Sequence, residues 1–108
     1  MQKKPKKQDK KKKLNQLISE CHRIARGKGW WDNERNDGEL IALMHSELSE
    51  ALEAMRNHGT KDNVAEELAD CCIRIFDYCG ARGIDLEKVL LKKIEYNKTR
   101  PYRHGKKF

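Results

Sequence analysis

A chain of 108 residues allows one domain, and 38% charged with 6% aromatic residues suits a small helical bundle better than a β-fold. The net charge of +7 sits in residues 1–13, with eight lysines and one aspartate, while the remainder balances at sixteen basic against sixteen acidic residues. No run is apolar enough for a secretion signal or a bilayer span, so a cytoplasmic protein with no membrane partner is expected.

Residues 1–13 cannot bury anything and read as a Lys-rich disordered tail that solubilises the chain or touches nucleic acid weakly. The domain then occupies residues 14–108. A first helix is predicted over about residues 11–26, where Leu14, Leu17, Ile18, Cys21, Ile24 and Ala25 form an apolar stripe and Gly27 and Gly29 follow it. Trp30 and Trp31 open a polar loop and cannot both point the same way, so one plugs the core while the other lines a pocket.

A second helix is predicted over about residues 38–57, with Gly59 placed to terminate it. A third starts near Asp62 or Asn63, either of which can cap it, and ends at Gly80. Asp85 caps a fourth, which carries Leu86, Val89, Leu90 and Ile94 and stops before Pro101. Connections this short favour antiparallel neighbours, hence an all-α, four-helix-bundle-like fold, with dimerisation an economical way to enlarge its core. Cys21, Cys71, Cys72 and Cys79 have no zinc-ligand spacing, and Cys72 and Cys79 are expected inside, on the apolar side of the third helix.

Chemistry enters with two acid pairs. Glu47 and Glu50 share one side of the second helix, and Glu67 and Asp70 one side of the third. An acidic pair on a helix is usually a solvated face. Glu47, however, has Leu40, Leu43, Ala51 and Ala54 within about 40° of it on the helical wheel. Its own helix offers no Lys or Arg within a turn. A buried carboxylate must be protonated, paired or metal-bound, and oxygen-only ligands suit Mg²⁺, Mn²⁺ or Ca²⁺. Glu67 and Asp70 lie on a charged arc with Glu66, Arg74 and Asp77, opposite Leu68, Cys72, Ile75 and Cys79. Arg74, one turn beyond Asp70, can pair with acids or touch a phosphate. His45 lies on the far side of its helix from Glu47, where a core or surface role is expected.

Near the C-terminus Lys93, Asn97 and Arg100 recur on one helical face, a set of donors suited to phosphate oxygens. Taken alone, that segment is an ordinary basic helix end favoured by the helix dipole.

Glu47-x-x-Glu50, sixteen intervening residues, then Glu67-x-x-Asp70 resembles the ExxE…ExxD signature of the MazG-like all-α NTP pyrophosphatases, in the short single-domain form. Glu66-Glu67-Leu68-Ala69-Asp70 and Lys93…Asn97…Arg100-Pro101-Tyr102 are similar to the same family. The likeness runs over about residues 14–107; the lysine tail has no counterpart in it. The resemblance implies a MazG-type fold acting as a homodimer or homotetramer. It implies Mg²⁺-dependent hydrolysis of a (deoxy)nucleoside triphosphate to the monophosphate and pyrophosphate, with Mn²⁺ a possible substitute. It also implies Glu47, Glu50, Glu67 and Asp70 as metal ligands and catalytic acids, Lys93, Asn97 and Arg100 at the phosphates, Tyr102 at the substrate, and Trp31 near the base or sugar. The competing reading is a non-enzymatic helical module that binds nucleic acid or an acidic partner through its basic ends. A di-iron bundle is disfavoured because no Glu-x-x-His pair is present.

Overall fold

Every helix start is fixed by a local side-chain hydrogen bond. The computed structural model describes residues 13–108, and the lysine-rich segment expected to be a tail lies outside them except for Lys13. Gln16 accepts from the Lys13 amide at the head of α1 (Leu14–Gly27), at 2.7 Å. Asn36 accepts from the Glu39 amide, at 3.1 Å, to open α2 (Asp37–Arg56). Thr60 and Asn63 exchange side-chain-to-backbone bonds, both 3.1 Å, at the head of α3 (Lys61–Arg82). Asp85 caps α4 (Leu86–Lys98) through the Lys88 amide, and a 3-10 turn, Tyr102–Gly105, follows Pro101. Such caps contribute about 1 kcal/mol each.

Three boundaries differ from expectation. The cap of α3 is Thr60, and Asn63 serves as its partner inside the first turn. Gly80 does not end α3; the helix continues to Arg82, and Gly83 supplies the left-handed residue at φ +68°. At the end of α2 the left-handed residue is His58, while the Gly59 amide bonds the Ala54 carbonyl at 2.6 Å. A Cβ on Gly59 would stand 2.5 Å from that carbonyl oxygen, so glycine is needed there for room.

α3 is the central element, with α2 along one side and α1 along the other. Gly80 lets α1 approach: a Cβ there would meet His22 Cβ at 2.7 Å and the Ile18 carbonyl at 3.3 Å. α4 meets the bundle more narrowly, through α1. There Asn15 donates from Nδ2 to Asp85, at 2.8 Å, and accepts from the Glu87 amide, at 3.3 Å.

The core is thin. Ile18, Leu40, Ala51, Cys71 and Cys79 are buried beside Glu47, and no large side chain among the described residues is fully enclosed. Here the expectation for the cysteines needs correcting: Cys71 is buried and Cys72 exposed. Cys71 Sγ lies 3.6 Å from the Met44 carbonyl because the face α3 turns toward α2 is the one carrying Glu67, Cys71 and Arg74. Leu68 and Cys72 consequently face outward, together with Leu48 and Leu52 of α2 and Val89, Leu91 and Ile94 of α4. No helix among the described residues is long and apolar enough to cross a membrane.

The Gly80 contact yields a prediction of sign. In an unconstrained helix Gly→Ala stabilises by about 1 kcal/mol, but here the added methyl is forced against α1. We expect Gly80→Ala to lower stability by roughly 1–3 kcal/mol, read from the urea midpoint at unchanged slope. A gain would contradict the close approach.

Candidate metal centre

The packing of α2 on α3 brings three carboxylates from two helices to one place. Glu47, Glu50 and Glu67 each offer an oxygen within 4.8 Å of the others. Glu47 lies in the buried stripe of α2 with Leu40 and Ala51 and is only 8% exposed. Its partner comes from the neighbouring helix: Arg74 Nε donates to Glu47 Oε2 at 2.6 Å. A charge-assisted hydrogen bond of this kind contributes roughly 1.5–3 kcal/mol, and with the arginine side chain 31% exposed the lower end applies.

Glu50 is exposed, and Glu67 is half-buried between it and Asp70. Glu67 Oε1 is shut off from solvent and has no hydrogen-bond partner among the described residues. Its carboxyl is pushed above the ordinary glutamate range, first by burial, then by the nearby charges of Glu50, Asp70 and Glu47. An orphaned acceptor facing two further carboxylates is poorly satisfied by protein alone and fits a hard divalent cation, which takes oxygen ligands only. Asp70 is exposed and lies outside the close triad, one turn beyond Glu67.

Beside the acids opens a cavity of about 230 Å³. It is lined by Glu47, by Asp70, Ile73 and Arg74 of α3, by Cys21 and Ile24 of α1, and by Lys28, Trp30 and Arg35 of the α1–α2 loop. Three cationic side chains thus stand next to the carboxylates within one hollow.

The two tryptophans divide as their adjacency requires. Trp30 is exposed and lines the cavity. Trp31 is tied down behind it: its Nε1 donates to both Asp77 oxygens, at 2.9 and 3.0 Å. His22 Nδ1 lies 2.8 Å from Asp77 Oδ1, and its ring meets Trp31 edge-on at 5.4 Å. Arg35 and Arg82 flank the Trp31 ring at 5.3 and 5.7 Å, and Arg82 also donates to Asp37 at 2.7 Å. This network fixes the loop against α3 and so sets the cavity wall. Sequence reading did not find His22 or single out Trp30; a histidine on α1 facing an aspartate two helices away leaves no local signal.

The basic residues near the C-terminus are not brought to the acids within this chain. Lys93 and Arg100 instead lie over the Tyr96 ring, at 5.0 and 5.5 Å. Asn97 is exposed on the same helix, and Tyr102 is 88% exposed. None of the four lines the cavity. His45 is exposed, so the surface reading holds.

A family model described as the MazG nucleotide pyrophosphohydrolase domain matches residues 35–104, which span both acid pairs and the Lys93–Tyr102 stretch. Neither a curated protein nor a solved structure matches the chain.

The raised Glu67 carboxyl makes stability depend on pH. Between the ordinary glutamate value and the raised one, the folded protein binds the extra proton and the unfolded chain does not, so stability falls as pH rises through that window. In chelator-treated protein, denaturation midpoints should therefore decline with pH there. Glu67→Gln should flatten that decline, and a wild-type profile no steeper than the variant's would contradict the clustering.

Proposed function

The chain belongs to the MazG nucleotide pyrophosphohydrolase family, and from that premise we propose that it hydrolyses a (deoxy)nucleoside triphosphate to the monophosphate and pyrophosphate in a Mg²⁺-dependent reaction, clearing nucleotides from the pool. Family and acid cluster together support a metal-binding hydrolase. The single observation carrying the finer reading is the triad of Glu47, Glu50 and Glu67, whose buried member Glu47 also lines a cavity with Lys28, Arg35 and Arg74.

In this reading Glu47, Glu50, Glu67 and Asp70 hold Mg²⁺, or Mn²⁺ in its place. When bound, the ion neutralises phosphate charge and lowers the pKa of a coordinated water. Glu50, the exposed member of the triad, would orient the attacking water toward the α-phosphorus. The bond from the α-phosphorus to the bridging oxygen breaks, and pyrophosphate leaves with that oxygen. The Trp30 indole offers a stacking face for the base, while Trp31, locked to Asp77, holds that wall beside the base and sugar. Lys28 and Arg35 face the same space and suit the negative charge of a polyphosphate.

The grip is completed by a second copy of the chain. Lys93, Asn97, Arg100 and Tyr102 stand on a segment that docks narrowly on α1, away from the acids of its own chain. Outward-facing Leu48, Leu52, Leu68, Leu91 and Ile94 leave apolar surface for that copy to cover, at on the order of 1 kcal/mol per half-exposed side chain. The assembly is a homodimer or a homotetramer made from two of them.

Purified protein with Mg²⁺ should release pyrophosphate from at least one member of a panel of canonical and modified (d)NTPs. Glu47→Gln should reduce the rate by more than the roughly 10–100-fold typical of losing a residue that only orients a ligand. Deleting residues 1–13 should leave the rate unchanged, whereas a nucleic-acid-binding module would lose its binding. Mixing inactive Glu47→Gln with inactive Arg100→Ala protein should restore part of the activity if copies share sites. No release from any substrate removes the enzymatic reading.

A further inference from the structure

Arg74 belongs to two places at once. Its Nε holds the buried Glu47 carboxylate at 2.6 Å, yet its side chain also lines the cavity with Trp30 and Arg35. It makes the only ion pair to any of the four site acids among the described residues. A guanidinium carries five N–H donors, and Glu47 accepts from the one on Nε. The head group is therefore anchored at one edge and open toward the hollow.

Two cations have a claim on the same carboxylate. Without a partner, Glu47 would be a buried, uncompensated charge, and Arg74 supplies that compensation. A divalent ion held by Glu47, Glu50 and Glu67 supplies it too, with twice the charge, and repels a guanidinium a few ångströms away. The arginine's nearest alternative is the cavity it already lines, where an anionic ligand would receive its planar fork of donors.

We propose that Arg74 is an exchangeable counter-ion: a divalent cation displaces it from Glu47, and the freed guanidinium turns into the cavity to hold a phosphate oxygen of the nucleotide. This rests on the metal site proposed above and adds to it a coupling. Ion binding presents a phosphate ligand, so ion and nucleotide strengthen each other's binding reciprocally. It also means that Arg74 opposes ion binding when no nucleotide is present. A scaffolding arginine would do the opposite, since removing it would loosen Glu47 and weaken the site.

The test measures Mn²⁺ affinity of chelator-treated protein without nucleotide, by the EPR signal of free Mn²⁺, for wild type, Arg74→Met and Arg74→Lys. Exchange predicts that Arg74→Met binds Mn²⁺ about tenfold more tightly, the low end for losing a competing charge-assisted hydrogen bond. Arg74→Lys, which keeps the charge and the fold but lacks the Nε donor, should fall between. With Mn²⁺ saturating, Arg74→Met should bind a non-hydrolysable α,β-methylene nucleotide about tenfold more weakly. Equal or weaker Mn²⁺ binding in both variants overturns the exchange, as does unchanged affinity for the analogue. Should Arg74→Met fail to fold, Arg74→Lys alone decides by the same two measurements. If wild-type protein binds no Mn²⁺, the metal site itself falls, a result distinct from the failure of the exchange.

Discussion

The burial of the Glu47 carboxylate between α2 and α3 is the constraint on which the rest of the molecule turns. A helix facing its neighbour with Leu40, Ala51 and a glutamate must find that glutamate a cation, and Arg74 reaches across from α3 to serve. That pairing sets the register of the two helices. The same register carries Glu67 to within ligand distance of Glu47 and Glu50. It also turns Glu67, Arg74 and Asp77 of α3 toward its neighbours, so that Asp77 meets His22 and Trp31 of the α1 side. One ion pair, one acid triad and one anchored loop thus follow from a single choice of which face α3 presents.

That choice has a cost elsewhere. A helix that spends its inward face on Glu67, Arg74 and Asp77 leaves Leu68 and Cys72 outside, and only small or single apolar residues remain to fill the centre. α4 is similarly placed, its leucines and isoleucine half-exposed and its junction to α1 made largely by Asn15. A chain of this size with so thin a core has little apolar burial to draw stability from. These stripes are the surface that the proposed second copy would cover.

Much of this was legible in the sequence, and the exceptions share a cause. Helical periodicity placed Glu47 among apolar neighbours and set each acid pair on one face, because both facts are local. Asp85 announced itself as a cap for the same reason. Which arc of α3 faces inward is not local, and so Cys72 was expected inside where Cys71 is the buried one, while Cys79 is buried as expected. The end of α3 misled through glycine: Gly80 reads as a stop, but it is retained inside the helix for the sake of α1, and Gly83 takes the left-handed turn. Adjacent tryptophans forced a division of labour, yet only the His22–Asp77–Trp31 network shows that Trp30 is the one at the cavity. Arg74 was visible as a candidate for acids or phosphate; its bond to Glu47 needed the register.

The central claim is that acids from two helices converge on a divalent ion. Crystals grown or soaked with Mn²⁺ and measured for anomalous scattering address it without relying on activity. The account predicts a peak bounded by Glu47, Glu50 and Glu67, at oxygen-ligand distance from all three. Density for manganese elsewhere on the molecule, with those three carboxylates bare, would contradict it.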